Sequence, residues 1–177
     1  MKLHLGCGSR YIPGFTHVDI HPADHIDLVC GVDRLPAIAD GAAELVYACH
    51  VLEHFHRRDT RRVLQEWYRV LKWGGTLRIA VPDLPALFEL YIHDKVELSS
   101  VIGPLYGRQD DLYNVHYTGF DFKTIWNDLD SVGFRDVRKY DWRTTEHADV
   151  DDYSRSYYPH MDFNGKLLSL NVEAKKR

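Results

Sequence analysis

The sequence has few cysteines, no long apolar run and no excess of positive charge. Its three cysteines, Cys7, Cys30 and Cys49, form no CxxC pair, which disfavours a disulfide framework and is typical of reduced thiols in a cytoplasmic protein. No apolar run approaches the roughly 18 residues that a membrane span requires, and the opening MKLHLGCG is too short for a signal peptide. The formal net charge of -4 argues against nucleic acid as the main partner.

Short apolar runs bounded by glycine, proline and aspartate recur along the chain and are typical of strands. A length of 177 residues suits one domain, 1–177, with a substantial core. The expected strands are Lys2–Leu5, Thr16–Ile20, Ile26–Val29, Glu44–Ala48, Thr76–Val81, Phe134–Tyr140 and Leu167–Ala174. Because helical patterns alternate with these runs, the sequence predicts an α/β fold with a mostly parallel sheet.

Three helices are expected between the later strands. The first begins near Thr60 and ends at the glycine pair 74–75, and the second lies on Leu84–Val101. The third begins at Asp121 or Thr124 and ends at Gly133. The tyrosine-rich segment 141–165 shows no pattern that assigns it to a helix or a strand.

The connection between the first two strands is too short for an ordinary crossover. Only the nine residues Ser9–His17 separate Gly8 from Val18, whereas a parallel crossover usually needs about a dozen or more and includes a helix. We therefore expect an irregular loop in place of the first crossover helix. One sheet face is then thinly covered, and either segment 141–165 or a second subunit, in a homodimer, must shield it.

The carboxyl ends of the first two strands carry residues that suit a nucleoside ligand. Gly6 and Gly8 follow the first strand directly and allow a ligand to approach the backbone, although a tight turn would explain them as well. Tyr11 occupies the third glycine position of the dinucleotide pattern G-x-G-x-x-G, so that motif is absent. Asp19 can accept hydrogen bonds from ribose hydroxyls, and Ile20 offers an apolar wall for adenine; the alternative for Asp19 is a surface carboxylate.

Several motifs in a fixed order resemble one enzyme family. The series LHLGCG, HVDI, LP, YACHVLEHF and VLKWGGTLRIAVPDL resembles the class I S-adenosylmethionine-dependent methyltransferases, most of all small bacterial members associated with glycan and cell-envelope biosynthesis. The resemblance is good over residues 2–83 and looser through the final strand. It implies a Rossmann-like sheet of seven strands with the last antiparallel, S-adenosyl-L-methionine as cofactor, and a small-molecule or saccharide acceptor.

The same resemblance implies a set of cofactor-contacting residues at the strand ends. Two glycines would lie under the methionine portion, the aspartate would hold the ribose, and adenine would lie along the later positions. The complete set is Gly6, Cys7, Gly8, Asp19, Ile20, Val32, Asp33 and His50.

Two departures from the family pattern concern the amino-acid portion of the cofactor. Many relatives have an acidic residue two positions before the first glycine, where it meets the cofactor ammonium group, but this chain has His4. A non-catalytic protein that keeps the fold is therefore an alternative. The missing first helix also removes a helix dipole that could face the cofactor carboxylate, and Arg10 is the nearest replacement.

The stretch YACHVLEHF has a second interpretation. His50, Glu53 and His54 follow the order H-x-x-E-H, which is the zinc-ligand order of inverted zincin peptidases. That arrangement needs both histidines on one helix face, whereas a strand directly precedes them here. The peptidase interpretation also leaves the glycine turn and Asp19 unexplained. A zinc hydrolase is the less favoured alternative, and no metal is expected.

A base is needed if the methyl acceptor is a hydroxyl group. His50 is the first candidate, because the unperturbed pKa of histidine lies near neutrality. Glu53 and His116 are weaker candidates for the same role. A wall of the cofactor site without a proton-transfer role is an equally good interpretation of His50.

Overall fold

The computed structural model, which describes residues 1–177, contains nine strands and four α-helices, and all of the α-helices lie between β4 and β6. The strands are β1 (Lys2–Leu5), β2 (Thr16–Asp19), β3 (Leu28–Val29), β4 (Ala43–Cys49), β5 (Leu71–Pro82), β6 (Phe134–Lys139), β7 (Tyr157–Tyr158), β8 (Lys166–Leu167) and β9 (Ser169–Lys176). The helices are α1 (Thr60–Val70), α2 (Leu84–Ile92), α3 (Leu98–Tyr106) and α4 (Phe122–Val132). None of them combines the length and the apolar character that crossing a bilayer demands.

One sheet of seven strands, in the order β3-β2-β1-β4-β5-β9-β6, forms the centre of the molecule. The five neighbouring strands β3, β2, β1, β4 and β5 are mutually parallel, and β9 runs antiparallel to β5 and β6. This confirms the Rossmann-like, mostly parallel sheet with an antiparallel last strand. The strand order reverses between β1 and β4, and ligands of such sheets bind beyond the carboxyl ends of the strands at this point.

Helices α1 and α4 cover one face of the sheet and enclose its main core. In α1, Val63, Leu64, Trp67 and Val70 are buried, as the helical spacing of the apolar residues predicts. The indole of Trp67 also donates a hydrogen bond to the carbonyl of Val32, 2.9 Å away. This bond connects α1 to the loop that follows β3, which forms one wall of the cleft described below.

Several element boundaries differ from the sequence-based prediction, and the predicted strand Leu167–Ala174 corresponds to β9, Ser169–Lys176. Helix α1 ends at Val70, because β5 already begins at Leu71 and the glycine pair 74–75 lies in an irregularity of that strand rather than at a helix end. The predicted helix on Leu84–Val101 is two helices, α2 and α3. The predicted strand Ile26–Val29 keeps only its last two residues, Leu28 and Val29. These limits depend on strand pairing, which local periodicity does not encode.

The short connection between β1 and β2 contains no helix, as predicted. Its apolar residues Ile12 and Phe15 turn inward and pack with Leu45 and Tyr47 of β4. The loop thus buries a small apolar cluster on the sheet face that a crossover helix would otherwise cover. A loop of this length covers only part of that face.

Segment 141–165 covers the rest of the thinly covered face. The ring of His147 lies 4.2 Å from that of Tyr47, measured between centroids, and Val150 packs against the same cluster. The Tyr47 hydroxyl donates a hydrogen bond of 2.5 Å to the buried carboxylate of Asp152. The chain itself therefore supplies the shield that the sequence analysis required here, while the homodimer stays a prediction.

Histidines are buried beneath this shield and must remain neutral there. His4 stacks on Tyr47 and lies edge-on to His17, and its Nδ1 has no hydrogen-bond partner. Burial, followed by the neighbouring His17 and His147, lowers the pKa of His4 to about 3. Burial likewise lowers the pKa of His147 to about 4. Protonation of either ring is therefore easier in the unfolded chain than in the folded one.

We expect replacement of His4 by leucine to reduce the acid sensitivity of the fold. The pKa of His4 falls from 6.5 to about 3 on folding, so its contribution to stability is complete above pH 6.5 and is lost as the pH falls toward 3. This corresponds to about 2 kcal/mol of unfolding free energy between pH 7.5 and pH 5. Urea titrations at both pH values measure the difference. The exposed His93→Leu variant should keep the wild-type pH dependence, and an unchanged dependence in His4→Leu would contradict the prediction.

Candidate active site

A cleft of about 750 Å³ lies at the carboxyl ends of β1, β2 and β4. This is the position at which the reversal of strand order predicts a ligand. All but one of the residues predicted to contact the cofactor line it, namely Gly6, Gly8, Asp19, Ile20, Val32, Asp33 and His50. The structure therefore brings together strand ends that are far apart in the sequence.

The glycine turn after β1 forms the floor of the cleft. Gly6 and Gly8 have φ angles of +60° and +53°, in the region that favours glycine. A Cβ atom on Gly6 would lie 2.6 Å from Cγ2 of Val51, so the turn and the segment after β4 are in close contact. A Cβ atom on Gly8 would meet no heavy atom within 4 Å, because this glycine faces the open cleft. A ligand can therefore approach the backbone closely at Gly8.

Cys7, between the two glycines, differs from its neighbours. Its side chain is buried and is not part of the cleft wall. Burial, and then the charge of Asp19, raises the pKa of the Cys7 thiol to about 12. The thiol is thus neutral and faces the core, so only the backbone of Cys7 belongs to the turn.

The carboxylate of Asp19 connects the ends of β1 and β2. Its Oδ2 accepts a hydrogen bond of 2.8 Å from the backbone N–H of Gly8, and its Oδ1 accepts one of 2.9 Å from that of His21. The residue is only 7% exposed, but it lies in the wall of the cleft. An ionised carboxylate has about four acceptor sites, so these two bonds leave capacity for a ligand. Asp19 is therefore held in place and can still bind a pair of hydroxyl groups.

The wall next to Asp19 is suited to a flat, partly apolar group. Ile20 keeps 39% of its surface exposed at the end of β2, and Val32 stands in the same wall. Asp33 also lines the cleft, and Arg62 of α1 holds its Oδ2 at 3.0 Å. A carboxylate fixed in this way can accept a hydrogen bond from an amino group at the edge of the cleft.

His50 follows β4 directly and has an unusual backbone conformation with φ of +52°. Its Nε2 lies 3.3 Å from the hydroxyl of Ser169, and its Nδ1 lies 3.3 Å from Oε1 of Glu53. Burial lowers the pKa of His50 to about 3. The near-neutral pKa that made His50 the first candidate for a base therefore does not apply in the folded protein.

The two weaker candidates for a base lie beside His50. Glu53 is completely buried, and burial raises its pKa to about 8. Burial, followed by the charge of His54, lowers the pKa of His116 to about 4. Burial thus disfavours the charged form of all three groups.

The H-x-x-E-H stretch does not form the helix that a peptidase site requires. Only Leu52–His54 makes a short 3₁₀ turn, and His50 lies outside it with a positive φ angle. The residues that come together are Glu53, His54 and His116, which each place one potential ligand atom within 4.8 Å of the others. The arrangement of histidines on one helix face is therefore absent.

Two residues considered for the amino-acid portion of the cofactor lie elsewhere. His4 is buried under the β1–β2 loop, as described above, and does not line the cleft. Arg10 donates hydrogen bonds to the carbonyl of Asp151 and to the hydroxyl of Ser9. It therefore anchors segment 141–165, which we call the covering segment. The long-range contact with Asp151 determines the direction of this side chain, and a local sequence pattern does not encode that contact.

The loop after α3 supplies a part of the cleft that the sequence did not reveal. Arg108, Asp110, Asp111 and Tyr113 of this loop line the cleft, as does Tyr153 of the covering segment. The sequence signal for this role was a polar loop that contains both charged and aromatic residues. Such a pattern is common in exposed loops, so it did not distinguish a ligand-binding loop from an ordinary one.

Comparisons with known proteins agree with this geometry. Residues 3–79 match a family described as methyltransferase domain. No curated protein matches the sequence. The sequence match ends within β5, so it includes the glycine turn, Asp19 and the H-x-x-E-H stretch but not the later part of the cleft.

Solved structures extend the likeness to nearly the whole chain. The 1,6-didemethyltoxoflavin-N1-methyltransferase of Burkholderia thailandensis, which contains S-adenosylhomocysteine, has a TM-score of 0.58 and 14% identity over 98% of this chain and 69% of its own. A methyltransferase dependent on S-adenosylmethionine from Archaeoglobus fulgidus has a TM-score of 0.54 and 18% identity, with 92% of this chain and 76% of its own covered. At these identities the likeness shows the fold.

The matched domain, the strand order and the position of the cleft agree with one another. S-adenosyl-L-methionine is the cofactor that the matched domain and the fold imply, and the glycine turn and Asp19 line the cleft. Residues 3–79 thus match the methyltransferase-domain family, and nearly the whole chain is similar in fold to solved methyltransferases that depend on S-adenosylmethionine.

Proposed function

We propose that the protein transfers a methyl group from S-adenosylmethionine to a small-molecule or saccharide-type acceptor in the cleft. The observation that supports this most is the Asp19 carboxylate, fixed by the N–H groups of Gly8 and His21 and directed into the cleft. When bound, the cofactor supplies a methyl group on a positively charged sulfur, and transfer of that methyl to the acceptor leaves a neutral thioether.

The cofactor-contacting residues of the proposal follow from the cleft walls. The backbone from Gly6 to Gly8 would hold the methionine portion, because no side chain obstructs the approach at Gly8. Asp19 would accept hydrogen bonds from both ribose hydroxyls, and Ile20 would pack on adenine. Val32 and Asp33 would contact the adenine edge, and His50 would stand at the end of the cleft that holds the sulfur.

The remaining side of the cleft supports a polar acceptor. Arg108 and Asp111 provide charges of both signs, and Tyr113, Tyr117 and Tyr153 provide rings and hydroxyl groups. Aromatic rings combined with hydrogen-bonding groups suit the mixed polar and apolar faces of a saccharide or a similar hydroxylated molecule. With acceptor and cofactor held side by side, alignment provides much of the rate enhancement.

We expect Asp19→Asn to weaken the binding of S-adenosylhomocysteine by about 10- to 100-fold, because a hydrogen bond to a charged group contributes about 1.5–3 kcal/mol. Isothermal titration calorimetry measures the change. The variant keeps one side-chain oxygen for the Gly8 or His21 N–H group, so melting curves should show a folded protein. An S-adenosylhomocysteine analogue without ribose hydroxyls should bind wild type and variant alike.

Asp24→Asn is the matched control for the loss of charge, because Asp24 is exposed in the loop after β2 and does not line the cleft. Its affinity should equal that of the wild type. Equal affinity in Asp19→Asn as well would contradict the proposed role of Asp19. Formation of S-adenosylhomocysteine with a panel of hydroxylated acceptors separates an enzyme from a non-catalytic protein with this fold.

We expect Gly8→Ala to reduce cofactor affinity beyond its effect on stability. The φ angle of +53° makes alanine unfavourable there by about 1 kcal/mol, and the new methyl group would occupy the space proposed for the cofactor. Gly14→Ala is the control, since Gly14 has a φ angle of +82° and equally open surroundings but lies outside the cleft. Both variants should lose similar unfolding free energy in urea titrations, and only Gly8→Ala should bind S-adenosylhomocysteine at least about tenfold more weakly.

A further inference from the structure

Glu53 has a buried carboxyl group without a hydrogen-bond partner. The residue is 0% exposed, and neither of its side-chain oxygens makes a hydrogen bond within the protein. Nδ1 of His50 lies 3.3 Å from Oε1, but the two atoms do not form a hydrogen bond. An isolated buried carboxylate is costly, and such groups in folded proteins are normally paired or bind a metal ion. The two side-chain oxygens of Glu53 therefore keep acceptor capacity that no hydrogen bond within the chain uses.

Two histidines next to Glu53 are oriented like metal ligands. Nδ1 of His54 lies 3.2 Å from the carbonyl oxygen of Val115, and Nδ1 of His116 lies 2.9 Å from that of Pro104. A carbonyl oxygen can only accept, so Nδ1 carries the proton in each ring and Nε2 keeps a free lone pair. Histidines that bind metals usually donate their other N–H group to a carbonyl or a carboxylate in this way.

Backbone contacts hold the two parts of this cluster together. The carbonyl of Glu53 accepts hydrogen bonds from the N–H groups of Tyr117, at 2.8 Å, and Thr118, at 3.2 Å. The Thr118 hydroxyl donates a further bond of 2.7 Å to the carbonyl of Phe55. The turn that carries Glu53 and His54 is thus fixed against the segment that carries His116, whether or not an ion is bound.

We propose that Glu53, His54 and His116 bind a divalent transition-metal ion. Two imidazoles and one carboxylate are a ligand set that suits Zn²⁺ and Fe²⁺ and leaves coordination positions open. The three ligand atoms lie within 4.8 Å of one another. Metal–ligand bonds of about 2.0–2.1 Å require about 3.3 Å between ligand atoms in a tetrahedral site, so a small closure of the side chains completes the site.

Of the three proposed ligands, only His54 lines the cleft, so the ion would meet the cleft on the side of His54. His54 lines the cleft together with His50 and Phe55, next to the end of β4. This part of the inference rests on the proposed function, which puts the acceptor there. An acceptor hydroxyl bound to the ion would lose its proton to water more easily, and its oxygen would keep the electron pair that forms the bond to the methyl carbon. No side chain would then need to act as the base.

The proposed ligand set differs from that of the peptidase interpretation. His116 replaces His50, whose backbone conformation excludes it from the turn of Glu53 and His54. The Nε2 atom of His50 is directed toward Ser169 instead. Replacement of His50 therefore distinguishes the two arrangements.

Metal binding is tested directly on the full chain. After removal of ions with a chelator, wild type is titrated with Co²⁺ and followed by its visible absorption, and Zn²⁺ is then added to displace the cobalt. We expect one tight equivalent with the spectrum of a nitrogen- and oxygen-ligated site. Glu53→Gln, His54→Ala and His116→Ala should each weaken Zn²⁺ binding at least about 100-fold.

Two control variants make the result specific. His93→Gln, which changes an exposed histidine outside the cleft, should keep Zn²⁺ affinity within a few fold. His50→Gln removes the side chain 3.3 Å from Oε1 of Glu53 and should weaken Zn²⁺ binding much less than His116→Ala does. Loss of binding in His50→Gln with normal binding in His116→Ala would support the peptidase arrangement and overturn the proposal. Wild-type affinity in all three ligand variants would overturn it as well, because the ion would then bind elsewhere.

S-adenosylhomocysteine affinity and melting curves, measured on the same samples, separate this inference from the proposed function. Folded ligand variants that bind S-adenosylhomocysteine but not Zn²⁺ would support both. If the wild type binds S-adenosylhomocysteine but no metal ion, the metal site is wrong and the methyltransferase proposal stands. If it binds one metal ion but no S-adenosylhomocysteine, the proposed function fails and the metal site stands.

Discussion

The bridge formed by the Asp19 carboxylate is the interaction on which the cleft depends. It connects the glycine turn after β1 with the end of β2 through two backbone N–H groups, those of Gly8 and His21. Backbone hydrogen bonds from the N–H groups of Gly6 and Cys7 to the carbonyl of Val18 join the same two strand ends. Because the carboxylate bonds to the backbone, its position depends on the main chain and little on neighbouring side chains. Its charge and unused acceptor capacity remain at the ligand-facing surface.

The missing first crossover helix shapes the other half of the molecule. The short loop adds only Ile12 and Phe15 to the apolar cluster on this face. The covering segment after β6 therefore reaches back over β4, where the Tyr47–Asp152 hydrogen bond holds it. Tyr153, in the same segment, lines the cleft and lies 5.2 Å from the ring of His50, measured between centroids. The element that replaces the helix as a shield thus also forms part of the site wall.

Burial governs the titration behaviour of the groups around the cleft and under the loop. It keeps His4 and His50 neutral and raises the pKa of Glu53 to about 8. Sequence reasoning had to start from unperturbed pKa values, which made His50 the natural first base. Solvent exclusion lowers the pKa of His50 to about 3, and it encloses the carboxyl group of Glu53 without a hydrogen-bond partner. The contact between Glu53 and His116 arises from the pairing of the turn 52–54 with the segment 115–118, across more than sixty residues of chain.

The sequence by itself determined the sheet type, the loop in place of the first helix and the residues at the strand ends, because apolar periodicity, glycine positions and connection length are local properties. It also predicted most of the strand-end residues that line the cleft, since parallel strands end at one edge. Only the tertiary structure decided that the helix before β5 ends at Val70, that Arg10 contacts the covering segment, and that His116 lies beside Glu53 and His54. Side-chain direction, burial and long-range pairing determine these features, and a local sequence pattern encodes none of these three properties.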